Sequence, residues 1–371
     1  MANICDYVTW RQDLSFDVDP FNEVDSLILA CFIYAHYDNI IKNSYEDTTT
    51  IASAINAFLA LPEDKQVYRG KEDLDLLNVL KDAPRFKDLK CFNYKEIYEH
   101  TQEVQFAACT IELDKHHYCV VYRGTDNFVA GWKEDLNLSF KIVPAQHLAV
   151  KYLKDVISHL GFNDRIIVSG HSKGGNLAVY AAAYLSKREL KKVEHIYNHD
   201  GPGFDFNQID QNAFENLIPL LTTFTPEMSF VGNLMNHVGE FNYIKSSQSS
   251  FMQHNPYSWE VLQKHFIRAN GPDKSSLLLK NVMDNWLKTI TYEEREKVLD
   301  AIYELIKATG AVDLNDIPSS FIKNFKEVQK VYENLDEHIK EIIGNTFSKL
   351  SSIFSSSMLK ELSKIIKKPS K

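Results

Sequence analysis

Hydrophobic and polar positions change periodicity several times along the middle of the chain. Six short runs rich in β-branched and aromatic residues predict strands at residues 103–111, 118–122, 165–169, 193–197, 221–224 and 241–246. Helical spacing of apolar residues predicts helices at residues 145–160, 174–186 and 207–217. Strands that alternate with helices indicate an α/β fold with a mainly parallel central sheet flanked by helices on both faces.

The two ends of the chain have helical patterns instead. Residues 24–37 form an apolar run that predicts a buried helix, and residues 48–89 are charged with helix-like spacing. Beyond Trp259 the chain is helical: Thr291 and Glu294 form a capping box for a helix that ends near Gly310, and Pro318 begins another helical run. We therefore predict an α/β domain over residues 1–270 and a helical region over residues 271–371. Within the former, residues 1–90 are largely helical and residues 100–260 form the core.

Charge and cysteine content narrow the class of protein. The net charge of −9 argues against nucleic-acid binding. The first residues are charged where a signal peptide would be apolar, and no apolar run approaches the roughly 20 residues of a membrane span, so a cytoplasmic location is predicted. Five cysteines without CxxC spacing indicate buried free thiols rather than disulfides or a metal site.

The most informative motif lies between a predicted strand and a predicted helix. Ser172 is the centre of Gly170-His171-Ser172-Lys173-Gly174, a GxSxG pattern. A serine nucleophile of an α/β sheet projects from such a turn, and small residues two positions away on either side keep the turn free of collisions. The alternative is a purely structural turn. His171 is a poor candidate for the base because adjacent residues in a tight turn point apart.

Two backbone N–H groups are candidates for binding an oxyanion. One belongs to Lys173, which follows the serine, and the other to Thr125 in the sequence RGTD, directly after a predicted strand. Gly124 would let the backbone approach closely. We expect Arg123 to be structural, paired with an acid such as Asp135.

These motifs carry a resemblance to a known family. The sequence YRGTDNFVAGWKEDLN followed by VSGHSKGG resembles the class 3, fungal-type lipases, whose elbow usually has the sequence GHSLGG. Together with the N-terminal DYVTWRQDLSFDVDP and the later NHDGPGF, SFVGNLMNHV and MQHNPYSW, it is still more similar to a bacterial family of lipase-like α/β hydrolases without assigned function. The likeness covers about Asp6 to Val261. It implies the α/β-hydrolase fold and a hydrolase core, and no known substrate.

In α/β hydrolases the acid and then the histidine follow the nucleophile along the chain. His254, in a loop after the last predicted strand, is the preferred base, with His237 as the alternative; the lipase resemblance also favours His254. For the acid, Asp200 follows the strand after the elbow and Glu227 follows the next strand, with Asp205 a weaker choice. The remaining alternative is a backbone group in place of the acid, or no acid. The class 3 lipases place an aspartate near Glu227, and this sequence has none there.

These residues predict a serine hydrolase that cleaves carboxylic esters, of a lipid or a small acyl group, through an acyl-enzyme. No cofactor and no metal ion is needed. The short segment between Asp126 and Ala145 leaves little room for a long lid, which favours an esterase, phospholipase or thioesterase over a triglyceride lipase. The alternative is a non-catalytic binding protein on the same scaffold. The lysine-rich tail after Gly344 could make weak contact with a membrane surface.

Overall fold

The computed structural model of this chain describes residues 1–99, 104–125, 138, 141–311, 320–321 and 323–351. The chain divides into two compact units. The first comprises Met1–Asp126 and Val143–Pro272, and the second comprises Asn127–Ile142 and Asp273–Lys371.

A central sheet organises the first unit. Its strands are β1 (Thr49–Thr50), β2 (Lys90–Glu99), β3 (Val104–Glu112), β4 (His117–Tyr122), β5 (Arg165–His171), β6 (Val193–His199), β7 (Leu221–Pro226) and β8 (Phe241–Ile244). They lie side by side in chain order; β1 to β4 pair in antiparallel fashion, and β4 to β8 are parallel. Two further strands, β9 (Val261–Leu262) and β10 (His265–Phe266), form a small antiparallel pair.

Helices surround this sheet. Those of the first unit are α1 (Ile4–Arg11), α2 (Glu23–Phe32), α3 (Ile51–Leu59), α4 (Lys71–Leu80), α5 (Pro144–His159), α6 (Lys173–Ala183), α7 (Lys187–Leu190) and α8 (Gln211–Glu215). Capping boxes begin α1 and α2: Asn3 and Asn22 accept backbone N–H bonds, and Asp6 and Asp25 bond back to the caps.

The two faces of the sheet bury different helices, as the alternation of side chains along a strand requires. Ile167 of β5 belongs to the buried apolar cluster that also contains residues of α1 to α4. On the other face α5 and α6 pack against the strands, and the buried Tyr122 hydroxyl donates to the Ala149 carbonyl of α5. A mainly parallel eight-stranded sheet flanked by helices is the α/β-hydrolase fold, as the sequence predicted.

The predicted strands and helices of the core are confirmed to within a few residues. The prediction that the chain is helical beyond Trp259 is wrong for β9 and β10, which pair as strands before the first C-terminal helix begins at Lys274. Three other segments also differ. Strand β2 was not predicted, because a bulge between Phe92 and Lys95 breaks its alternation and Asn93 has a positive φ of 49°. The predicted helix at 24–37 ends at Phe32, and the chain continues as a buried turn. The helix predicted at 207–217 is limited to α8, because the Asp210 side chain caps the Asn212 N–H and starts the helix there.

The second unit contains α9 (Lys274–Thr289), α10 (Tyr292–Ala308), α11 (Phe325–Glu333) and α12 (Glu337–Ser351). The predicted capping box of Thr291 and Glu294 is confirmed, and the chain leaves α10 at Gly310, whose φ is +69°. Pro318 lies outside the described residues. No helix in the described part of the chain is long and apolar enough to cross a membrane. The five cysteines are free thiols, and all but Cys5 are buried.

Candidate active site

Ser172 occupies a strained turn between β5 and α6. Its φ of 59° and ψ of −130° are unfavourable for a residue with a side chain, and its N–H donates to the His199 carbonyl at 2.9 Å. A Cβ on Gly170 would lie 2.2 Å from the Gly174 carbonyl carbon, and a Cβ on Gly174 would lie 2.1 Å from the Tyr122 oxygen. The predicted turn from strand to helix is confirmed, and the two glycines are there because nothing larger fits.

His254 lies beside this serine. Its Nε2 is 2.9 Å from Ser172 Oγ, and its side chain is 25% exposed, so the pair remains open to solvent. His254 ends a short 3₁₀ turn after β8. The preceding Gln253 anchors that turn twice: its carbonyl accepts the Trp259 indole N–H at 2.9 Å, and its side-chain oxygen accepts the Met228 N–H at 2.8 Å.

Asp200 lies on the far side of the imidazole. Its Oδ2 is 2.6 Å from His254 Nδ1 and also accepts the Ser229 hydroxyl at 2.6 Å. Burial raises the pKa of the Asp200 carboxyl, while the hydrogen bonds from His254 and Ser229 act in the opposite direction. A carboxylate that accepts the Nδ1–H leaves Nε2 free to accept the proton of Ser172 Oγ.

The other candidates lie elsewhere. Glu227 is half-buried, its N–H donates to the Ile244 carbonyl, and in the part of the chain that the structure describes no hydrogen bond joins it to His254. His237 Nε2 bonds with the Leu234 carbonyl at 3.2 Å. Asp205 accepts the Asn207 N–H at 3.1 Å, as a turn cap does. The structure therefore groups Ser172 with His254 and Asp200.

The oxyanion candidates follow neighbouring parallel strands. Tyr122 of β4 is paired with Gly170 of β5, so Thr125 and Lys173 both come just after strands that end at one edge of the sheet. The Lys173 ammonium is directed away from the turn, since its buried Nζ donates to the Gln105 carbonyl at 2.9 Å. Its N–H is in the first turn of α6, where no helical acceptor exists.

Gly124 has the close contacts that the sequence suggested. A Cβ there would lie 2.1 Å from the Tyr34 hydroxyl and 2.6 Å from the His171 oxygen. Its neighbour Arg123 is buried and pairs with Glu96 at 2.6 Å. Asp135, the partner that we predicted, lies outside the described residues.

Ser229 and Gln253 were missed at the level of sequence. The signal for Ser229 was a hydroxyl three residues after the end of β7, close to the candidate acid Glu227. Gln253 adjoins His254 but has no chemistry of its own to mark it. In addition, within the described ranges no group of three or more histidine, cysteine, aspartate or glutamate side chains is arranged to hold a metal ion.

Two solved lipase structures are similar to this chain at low sequence identity. A triacylglycerol lipase from Penicillium expansum has 14% identity, a TM-score of 0.30, and coverage of 49% of this chain and 75% of the lipase. The M37 lipase has 14% identity and a TM-score of 0.36, and the match covers 82% of this chain and 98% of the M37 lipase. No curated protein matches the sequence. The profile of the Mbeg1-like family matches residues 80–304, and the chain therefore belongs to this lipase-like family.

Proposed function

We propose that this protein is a serine hydrolase that cleaves carboxylic esters of a lipid or small acyl group. The observation that carries the proposal is the continuous hydrogen-bonded row from Ser172 through His254 to Asp200, with distances of 2.9 and 2.6 Å. Nucleophile, base and orienting acid need this order and these distances. Membership of a lipase-like family supports the same class of reaction.

The first half of the reaction forms an acyl-enzyme. Ser172 Oγ attacks the ester carbonyl carbon and transfers its proton to His254 Nε2, while Asp200 holds the resulting imidazolium. The Thr125 and Lys173 N–H groups bind the oxygen that becomes negative, and the N-terminus of α6 favours that charge. The bond from carbon to the leaving oxygen then breaks, and His254 gives its proton to the departing alcohol.

The second half releases the acid. A water molecule attacks the acyl-enzyme carbonyl and gives a proton to His254 Nε2. Collapse of the second tetrahedral intermediate breaks the bond to Ser172 Oγ, which takes the proton back from His254. The chemistry uses only side chains and backbone N–H groups of this chain, so the proposal includes no cofactor and no metal.

A fluorophosphonate probe tests the enzyme class directly, because it reacts with activated serines. We expect the wild type to be labelled and Ser172→Ala to lose the label, whereas Ser158→Ala, which changes an exposed serine, keeps it. If the wild type is not labelled and hydrolyses no ester, the alternative of a binding protein on a hydrolase scaffold takes its place. A series of p-nitrophenyl esters of increasing acyl length then distinguishes an esterase from a lipase.

The predicted cytoplasmic location and the membrane contact of the tail are further parts of this proposal. Most of the tail, residues 352–371, lies outside the described residues, and it contains Lys360, Lys364, Lys367 and Lys368. Each lysine near an anionic surface contributes about 1 kcal/mol. Replacing these four lysines with glutamine should weaken binding to phosphatidylserine vesicles at low salt. If the variant and the wild type bind these vesicles equally, the lysines of the tail have no role in membrane contact.

A further inference from the structure

His171 precedes the proposed nucleophile and contacts the proposed base. It is buried, and its Nε2 lies 2.9 Å from the His254 carbonyl oxygen. A carbonyl only accepts hydrogen bonds, so Nε2 carries the proton and Nδ1 is the acceptor. The Tyr34 hydroxyl, 2.9 Å from Nδ1, is then the donor to His171. The rings of His171 and His254 also stack, with centroids 4.8 Å apart.

Tyr34 is in turn fixed by the N-terminal helical part of the unit. The Arg69 guanidinium carbon lies 3.2 Å from the centroid of the Tyr34 ring, a cation–π contact. Asp73 of α4 holds Arg69 through two hydrogen bonds from the guanidinium, at 2.7 and 3.2 Å, and one from the backbone N–H, at 2.9 Å. The Tyr34 ring therefore has little freedom to turn away from His171.

The same contacts lead back to the loop that carries the base. The Tyr257 hydroxyl donates to Asp73 Oδ1 at 2.6 Å, and Tyr257 lies in the 3₁₀ turn immediately after His254. In addition to the two contacts of Gln253, the loop that carries His254 is thus held at the His254 carbonyl by His171 and at Tyr257 by Asp73. The first contact comes from His171, the residue next to the nucleophile, and the second comes from Asp73, which precedes β2.

Holding this loop matters because a proton transfer needs its partners within hydrogen-bond reach. His254 is on a loop, and loops are more mobile than the strands that they join. Burial, with His254 and Arg69 nearby, lowers the pKa of His171 well below its usual value. The neutral His171 ring has a single N–H, at Nε2, and this N–H donates to the His254 carbonyl. The hydrogen bond therefore also fixes the tautomer of His171.

We propose that His171 is a positioning residue: it holds His254 against Ser172, and the N-terminal helical part orients it through Tyr34, Arg69 and Asp73. The inference rests on the proposed function for its meaning in catalysis. Through these contacts, the part of the chain before β2 contributes to the geometry of the site.

The test compares His171→Phe with His171→Gln. Phenylalanine keeps the ring and removes the N–H, whereas the glutamine amide can donate to the His254 carbonyl. We expect His171→Phe to lower kcat for a p-nitrophenyl ester about 100-fold, the order of loss that a displacement of about 1 Å causes. KM should change little, and His171→Gln should recover most of the activity.

Two controls separate positioning from stability. Tyr7→Phe removes a buried hydroxyl that bonds with Asp25 in the same N-terminal part, and it should lower stability without lowering kcat. Tyr34→Phe removes the donor to His171, and it should lower kcat with KM retained. If His171→Phe does not fold, Tyr34→Phe carries the test, and a wild-type kcat in this variant would overturn the positioning role.

A spectroscopic measurement keeps the two proposals apart. The low-field proton resonance of the hydrogen bond between His254 and Asp200 should shift or broaden in His171→Phe and return in His171→Gln. Wild-type kcat and an unchanged resonance in a folded His171→Phe would overturn the positioning role. A wild type without esterase activity or probe labelling would overturn the proposed function, and the resonance would still show whether His171 holds His254.

Discussion

Ser172 and Asp200 follow the neighbouring parallel strands β5 and β6, and both have left-handed backbones, with φ of 59° and 56°. The Ser172 N–H donates to the His199 carbonyl, and the Asp200 N–H donates to the Phe224 carbonyl of β7 at 2.8 Å. Positive φ costs residues with a side chain about 1–3 kcal/mol. Hydrogen bonds to neighbouring strands therefore hold Ser172 and Asp200 of the candidate site in strained backbone conformations.

Removing the side chain of Ser172 should release this strain. Glycine adopts positive φ without steric cost, so we expect Ser172→Gly to be more stable than Ser172→Ala by about 1 kcal/mol, while both variants lose activity. Urea unfolding of the two variants measures the difference. Equal stabilities would mean that the turn stores no strain at this residue.

Asp200→Asn should retain the backbone conformation at this position and reduce the rate of catalysis. Its amide can donate to His254 Nδ1, which leaves the proton on Nε2 and opposes acceptance of the Ser172 proton. We expect kcat to fall by a factor of about 10³–10⁴, as for the comparable change in serine proteases. Glu227→Gln is the matched comparison. If Glu227→Gln gives the large loss and Asp200→Asn does not, Glu227 is the acid.

Ser229 should contribute through Asp200. Its hydroxyl donates to the same Oδ2 that bonds with His254, and a hydrogen bond to a charged group contributes about 1.5–3 kcal/mol. Ser229→Ala should therefore lower kcat/KM by about tenfold or more. Thr225→Val is the control, because its buried hydroxyl has no hydrogen-bond partner within the described ranges. Similar losses in both variants would argue against a specific effect of Ser229.

His199 should make the fold less stable in acid. Burial, with a smaller effect of His195, lowers the pKa of His199 from 6.5 to about 3. Between these values the unfolded chain binds a proton that the folded chain does not, so the free energy of unfolding decreases as the pH falls below about 6.5. One such histidine changes the free energy of unfolding by at most about 1.4 kcal/mol per pH unit.

The variant that tests this is His199→Phe. His199 stacks on Phe224 with centroids 5.6 Å apart, so an aromatic ring suits the position. The free energy of unfolding of this variant, measured in urea at pH 7 and pH 5, should depend less on pH than that of the wild type. An unchanged pH dependence would show that His199 is not the group responsible.

The elbow and the core strands were predictable because their signals are local. Apolar runs define β4 to β7, and a serine between a strand and a helix, with a glycine two positions away on either side, is typical of a nucleophile turn. Strand β2 was not predictable, because its bulge at Asn93 is supported by pairing with β3 and by contacts outside the strand. The Asn93 side chain, for example, donates to the Tyr45 hydroxyl at 2.9 Å.

The sequence by itself determined the α/β-hydrolase fold, the turn at Ser172 and a short set of candidate bases and acids. Only the tertiary structure decided which carboxylate lies against His254, because Asp200 and His254 are 54 residues apart and Glu227 lies between them along the chain. It also decided the contacts of His171, which depend on Tyr34 of the N-terminal part. Local periodicity specifies strands and turns, whereas side-chain contacts across such distances depend on strand register and loop path, which no short stretch of sequence encodes.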